Sequence, residues 1–178
     1  GVVHEQDPVA KSIRTHQHHY VQQLKPIKDD DIAFADPSAE VPEHIRQAFV
    51  SLLGGVAWLC LTMPAICVYV AALQRGVKAP TVKQIRDLNR LLKWIRRNTD
   101  RLVLVFRALR APTALAVVTD SAFKALELAG LAMRGCVVML MEAGRGTDGR
   151  IQLLDWYSRK HVHVVRSTFA AELHSLLD

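Results

Sequence analysis

The chain has 178 residues, half of them hydrophobic, and carries 23 Lys or Arg against 17 Asp or Glu, a formal net charge of +6. So apolar a composition excludes a disordered tail and calls for one ordinary domain or two small ones, while the positive balance favours a polyanionic partner, either nucleic acid or an anionic membrane surface. Three cysteines, Cys60, Cys67 and Cys136, are an odd number set inside apolar runs without paired spacing, which argues against a disulfide framework or a Cys-ligated zinc module and for reduced thiols in an intracellular protein. The first residue is Gly1 rather than Met and no basic, apolar, small-residue leader follows, so a fragment that is not secreted is expected.

Residues 1 to 42 are polar, rich in His and broken by Pro26, Pro37 and Pro42. One short helix is expected there, Ser12 to Leu24, with Tyr20, Val21 and Leu24 as a weak apolar face. Residues 1 to 11 take no assignment, and Asp29, Asp30 and Asp31 read as loop. His16, His18 and His19 are clustered as metal-binding imidazoles can be, but no Cys or carboxylate stands at a ligand spacing, and a solvated helix face is the preferred reading. Beyond Pro42 a helix is expected from Glu43 to Leu61, then a break at Met63-Pro64, then a second helix from Ala65 to Arg75 stopped by Gly76. No charge occurs from Gln47 to Gln74, a run long enough to span a bilayer. Gly54, Gly55, Thr62 and Pro64 interrupt it, which favours two short helices over a membrane hairpin, with the hairpin kept as an alternative.

Thr81 with Gln84 three residues on forms a capping box that opens a third helix, running to Arg97. Val82, Ile85, Leu88, Leu92 and Ile95 recur at helical steps on one face; Lys83, Arg86, Arg90, Lys93 and Arg97 recur on another. Arg75 to Arg110 holds eleven Lys or Arg against Asp87 and Asp100, a local charge of +9. Like charges at helical spacing repel, so a face of one sign needs a reason, and contact with a phosphate backbone supplies one. The plain alternative is the wet face of an amphipathic helix.

Past Pro112 the period changes to that of strands: Ala114 to Asp120, Gly135 to Glu142 and Ile151 to Tyr157 are the three expected, with a domain boundary near 108 to 113. Gly144, Gly146 and Gly149 have dinucleotide-fingerprint spacing but precede a strand rather than a helix, so a hairpin loop is expected. A short extended piece, Val162 to Val165, carries His161 and His163 on or beside it, and Ser167 caps a helix starting at Thr168. Asp120 ends a strand and Glu172 lies early in a helix. Each alone is an ordinary acid, yet a strand-end and a helix-start carboxylate can converge on one divalent cation, as two-metal phosphodiester chemistry requires.

Three segments read in order resemble one family. The run FVSLLGGVAWL from Phe49 to Leu59, followed by TMPAI from Thr62, resembles the copia-type retrotransposon segment in which "SLxGxLxYL" precedes "TRPDI". APT from Ala79, followed by LNRLLKWI from Leu88, resembles its "APT…LKRVLRYL". WYSRKH from Trp156 and VRSTFAAEL from Val165 resemble its "WKSKKQ…VSRSSAEAEY" signature, the most specific of the set. Two places depart from the pattern: Met63-Pro64-Ala65 stands for Arg-Pro-Asp, and Thr119-Asp120-Ser121-Ala122-Phe123 for "SDADW".

The resemblance implies an α+β chain: a polar segment (1–42) after a polymerase core, a helical connection (43–110), and the N-terminal half of a ribonuclease H-like fold (111–178) made of three antiparallel strands and a helix start. It implies that Asp120 and Glu172 are metal-binding catalytic carboxylates for Mg²⁺, cutting the RNA strand of an RNA–DNA hybrid. Lys83, Arg86, Arg90, Lys93 and Arg97 would contact that hybrid, the rest of the parent polyprotein would be a partner, and the setting would be cytoplasmic or nuclear with no membrane. Because the family's remaining carboxylates would lie past Asp178, this stretch alone is expected to be inactive. A degenerate, non-catalytic remnant that only binds nucleic acid is the alternative.

Overall fold

The computed structural model describes residues 1–28, 32–122, 133–160, 171–173 and 175. The expectations for Asp29 to Asp31, His161, His163, the Val162 to Val165 piece, Ser167 and the helix start at Thr168 lie outside the described residues. In chain order the elements are β1 (Val3–Asp7), β2 (Ser12–His16), α1 (His18–Gln23), α2 (Glu43–Leu59), α3 (Cys67–Gln74), α4 (Val82–Arg97), β3 (Leu104–Arg107), β4 (Thr113–Ala122), β5 (Met133–Glu142) and β6 (Ile151–Lys160), with short 3-10 turns between some of them. The fold is mixed α+β, with two three-stranded sheets. Contacts divide it into a helical unit, Gly1–Val3 with Thr15–Val103, and a sheet unit, His4–Arg14 with Leu104–Asp178.

The helical unit is built on apolar residues at helical spacing. Ile45, Phe49, Leu52, Leu53, Val56 and Leu59 of α2 and Val82, Ile85, Leu88, Leu91, Leu92 and Ile95 of α4 are all buried in one cluster with Met63, Ile66, Val70 and Leu73. Each such side chain contributes roughly 1.5–3 kcal/mol by leaving water. α2 stops at Leu59, whose carbonyl accepts from both Thr62 and Met63 N–H at 3.1 and 3.0 Å; Pro64 then opens a 3-10 turn that leads into α3. Gly55 lets α1 and its following residue pack close, because a Cβ there would lie 2.7 Å from Leu24 Cδ2 and 3.2 Å from the Tyr20 hydroxyl and those side chains would have to shift, whereas one at Gly54 would meet nothing. The capping box at Thr81 is present, with Thr81 N–H donating to Gln84 Oε1 at 2.9 Å. Among the described residues no helix is long and apolar enough to cross a membrane.

The N-terminal region departs from expectation. Ser12 to His16 is a strand, not the start of a helix, and only His18–Gln23 is helical. β1, unassigned from sequence, joins β2 through a turn in which Asp7 Oδ1 accepts from the N–H groups of Val9 and Ala10 at 3.0 and 2.8 Å. Lys11 closes that turn at φ 49°, a left-handed conformation that a side chain makes costly. The sheet order is β1-β2-β3, so the partner that makes Ser12–His16 a strand lies about ninety residues away, at Leu104–Arg107, inside the stretch expected to be helical connection.

The second sheet is β4-β5-β6, antiparallel throughout, with Thr113 facing Glu142 and Asp120 facing Gly135 across the first pair. The strands run longer than expected, and a register shift at Val138/Met139 places Val138 opposite Asp155 but Met139 opposite Leu153, an extra residue in β6. The glycine run is the loop between β5 and β6. Gly144 and Gly146 adopt φ 73° and 56°, the left-handed turn geometry for which glycine is the usual choice. Residues 171–173 and 175 are helical.

Candidate functional site

Asp120 lies third from the C-terminal end of β4, exposed, and faces Gly135, whose missing Cβ leaves the sheet uncluttered opposite it. Fifty-two residues later the helical segment returns to the same strand end. Glu172 Oε1 accepts from the Ser121 N–H at 3.3 Å, and the Ser175 hydroxyl donates to the Asp120 carbonyl, also at 3.3 Å. Ala171 and Ser175 are buried at this junction while Glu172 is half-exposed, so the helical residues turn their small side chains inward and leave the carboxylate at the rim. Asp120 and Glu172 are therefore brought to adjoining positions on the chain. One oxygen of Glu172 is occupied by a backbone donor, and carboxylate oxygens such as those of Asp120 and Glu172 are the hard donors that Mg²⁺ prefers. Among the described residues no group of three or more His, Cys, Asp or Glu is placed to hold a metal ion.

Two further groups at this strand end were not singled out from the sequence. Ser121 is 92% buried and its hydroxyl has no hydrogen-bond partner among the described residues. Arg134 faces Ser121 directly across β5, is likewise buried, and has its guanidinium 5.7 Å from the centre of the Tyr157 ring, over which Arg159 also lies at 4.5 Å. A strand position opposite a serine carries no local signal for a buried cation; only the register reveals it. At the opposite end of the sheet, Glu142 is buried and its carboxylate accepts from the Arg110 N–H at 2.9 Å and the Arg150 N–H at 3.4 Å. The bond to Arg110 first, then that to Arg150 and the two guanidinium charges, outweigh burial and hold its carboxyl below the usual range.

The basic face of α4 is divided by its contacts. Asp87 lies on that face and pairs with Lys83 at 2.6 Å and Arg90 at 3.3 Å, so an acid does stand among the five cations. Pairs this exposed contribute about 0–1 kcal/mol and leave both cations open to a stronger anion. Arg86 turns inward and donates to the carbonyls of Ile32, Ala33 and Ala35 at 3.1, 3.2 and 3.0 Å, tying down that loop. Arg96 does the same to the Leu24 carbonyl, and Asn89 both accepts from Ile27 N–H and donates to its carbonyl. Lys93 and Arg97 remain exposed, with no ion-pair partner among the described residues. Arg96 and Arg97 also sit in the last turn, where cations offset the negative end of the helix dipole.

In the His-rich segment His16 is buried and its ring stacks on that of His18 at 4.0 Å. Gln17, fully buried, accepts at Oε1 from the Thr62 hydroxyl at 2.9 Å. Cys60, Cys67 and Cys136 form no disulfide among the described residues; a hydrogen bond with Cys67, together with burial, pushes the Cys60 thiol up, away from a reactive thiolate. No protein-family model, curated protein or solved structure matches this chain.

Proposed function

We propose that this chain is the connection and ribonuclease H portion of a copia-type retrotransposon polyprotein. In this reading it contacts an RNA–DNA hybrid through Lys83, Arg90, Lys93 and Arg97, while Arg86 is spent on the loop carbonyls, and contributes Asp120 and Glu172 to a nuclease site acting on the RNA strand, in the cytoplasm or nucleus. The observation that carries the reading is the meeting of Glu172 with the Asp120–Ser121 strand end, across fifty-two residues of chain. The Ser121 N–H and the Asp120 carbonyl both bond to the helical segment, which sets Glu172 beside the strand end that carries Asp120. Asp120 and the outer oxygen of Glu172 would hold Mg²⁺, which in such sites activates water and stabilises the leaving oxygen. The residues of this chain supply the rest: Gly135 keeps the approach to Asp120 open, and the Ser121 N–H orients Glu172.

A second reading, a non-catalytic nucleic-acid-binding module, is favoured by the exposed Lys93 and Arg97 of α4, whose contact with phosphate needs no metal at Asp120 or Glu172. Titration with Mn²⁺ followed by electron paramagnetic resonance separates the two. The nuclease reading expects the chain to take up Mn²⁺, with loss of at least tenfold in affinity for Asp120→Asn and Glu172→Gln; no uptake by the unaltered chain would leave only the binding module.

A further inference from the structure

Beside Lys93 and Arg97, the exposed cations of α4 without an ion-pair partner among the described residues, stands Trp94. It is 43% exposed, on the same side of the helix as Arg90 one turn before it and Arg97 one turn after it, with Lys93 adjoining. Its indole makes no ring contact or hydrogen bond among the described residues, where the cation–π contacts are both to the Tyr157 ring of the sheet unit. A second aromatic ring lies near the start of the same helix. Phe34 is 98% exposed, in the loop whose carbonyls Arg86 holds. Arg86 and Trp94 are eight residues apart, about 12 Å along the helix axis, which is the run of two or three nucleotides of an extended strand. Exposing a phenyl ring this completely gains nothing for the fold, and here the loop that carries it is anchored from the basic face.

We propose that Phe34 and Trp94, with Lys93 and Arg97 between and beyond them, form a docking surface for single-stranded nucleic acid, whose unpaired bases stack on the two rings while its phosphates meet the cations. The inference rests on the nucleic-acid contact proposed above and narrows it. In a duplex the base faces are already stacked on one another, so an exposed indole gains little from a hybrid; an unpaired base offers its whole face. Charge complementarity selects a polyanion, and flat exposed rings select the kind of polyanion that carries unpaired aromatic bases. Arg90 joins the surface when a phosphate displaces Asp87, an exposed pair weak enough to yield. Binding weakens with salt through the phosphate contacts, while the contribution of the rings is far less sensitive to it.

The test is fluorescence anisotropy with the full chain, using a labelled single-stranded oligo-uridine and a blunt RNA–DNA hybrid of equal length, with circular dichroism to verify that each variant is folded. Trp94→Leu and Phe34→Ser are expected to weaken single-strand binding about tenfold each and to change hybrid binding less than twofold. Trp94→Phe, which keeps a ring, should recover most of the loss, and Lys93→Gln with Arg97→Gln should weaken both ligands and flatten the salt dependence. Unchanged single-strand affinity in Trp94→Leu, or an equal loss on both ligands, overturns the proposal while leaving the hybrid contact standing. If the unaltered chain binds neither ligand, the contact and the proposal fail together. Anionic phosphatidylserine vesicles serve as the remaining arm; binding to them alone, lost in Trp94→Leu, would make this a membrane-facing surface and overturn the proposal.

Discussion

The helical unit gathers eighteen buried apolar residues into one continuous cluster, Phe49 and Ile85 among its fully enclosed members. The sheet unit, among its described residues, encloses Leu104, Met133, Cys136 and Ala171 together with Ser121, Arg134, Glu142 and Ser175, and leaves Leu115, Val117, Val118, Ile151 and Leu154 about half exposed or more. One unit is held by packing, the other by strand ladders and by polar groups that need their partners. Buried polar groups stabilise little on balance and cost much when a partner is lost, so they mark where a fold has been arranged for chemistry or for contact. Both proposals follow this difference: the sheet unit carries the acids, and the helical unit offers a rigid face.

The comparison is broken most severely by cutting into the helical cluster. Phe49→Ala is expected to cost about 3–5 kcal/mol, read as lost amide protection in α2 and α4 by hydrogen exchange. Leu115→Ala, on an exposed stretch of β4, should stay within about 0.5 kcal/mol. Comparable losses for both would mean that the sheet face is covered in solution. A smaller effect tests a buried polar pair of the helical unit, Thr62 with Gln17. Thr62→Val removes the hydroxyl that Gln17 Oε1 accepts from and should cost about 1–3 kcal/mol in urea denaturation, whereas pairing it with Gln17→Leu should restore part of that loss.

The smallest effect concerns Glu142. Its carboxyl is held low in the folded protein, so the unfolded chain takes up the proton first; its stabilising contribution is complete above the ordinary glutamate range and is lost as pH falls through the lowered value. Amide protection in β4 and β5 should therefore decline over that interval, and Glu142→Gln should remove that part of the pH dependence. An unaltered decline in Glu142→Gln would assign it to other acids.

Much of this architecture was readable locally. The capping box at Thr81, the apolar period of α4, the break at Pro64 and the three strands from Thr113 onward each depend on residues within a few positions of one another. The β1–β2–β3 sheet was not readable, because a pairing across some ninety residues leaves no period in either segment, and because the turn between β1 and β2 uses Lys11 at positive φ where glycine would have announced it. The same limit applied to the candidate sites. Asp120 and Glu172 came from motif order, but Arg134 needed the strand register, and the division of labour on α4 needed the loop carbonyls that claim Arg86 and Arg96. Asp87 was visible in the sequence as an acid on the basic face; its pairing with Lys83 and Arg90 follows from ordinary three- and four-residue spacing. Trp94 falls at the three- and four-residue steps of the basic face, four after Arg90 and three before Arg97, where the run of cations draws attention away from a ring.

In the proposed function, the Asp120–Glu172 pair works together with bound nucleic acid. The most direct measurement is the affinity of the chain for an RNA–DNA hybrid with and without Mg²⁺, at fixed ionic strength. Tighter binding with Mg²⁺ in the unaltered chain, and no such gain in the Asp120→Asn, Glu172→Gln double variant, is the result expected. An identical response to Mg²⁺ in both, or none in either, would contradict it.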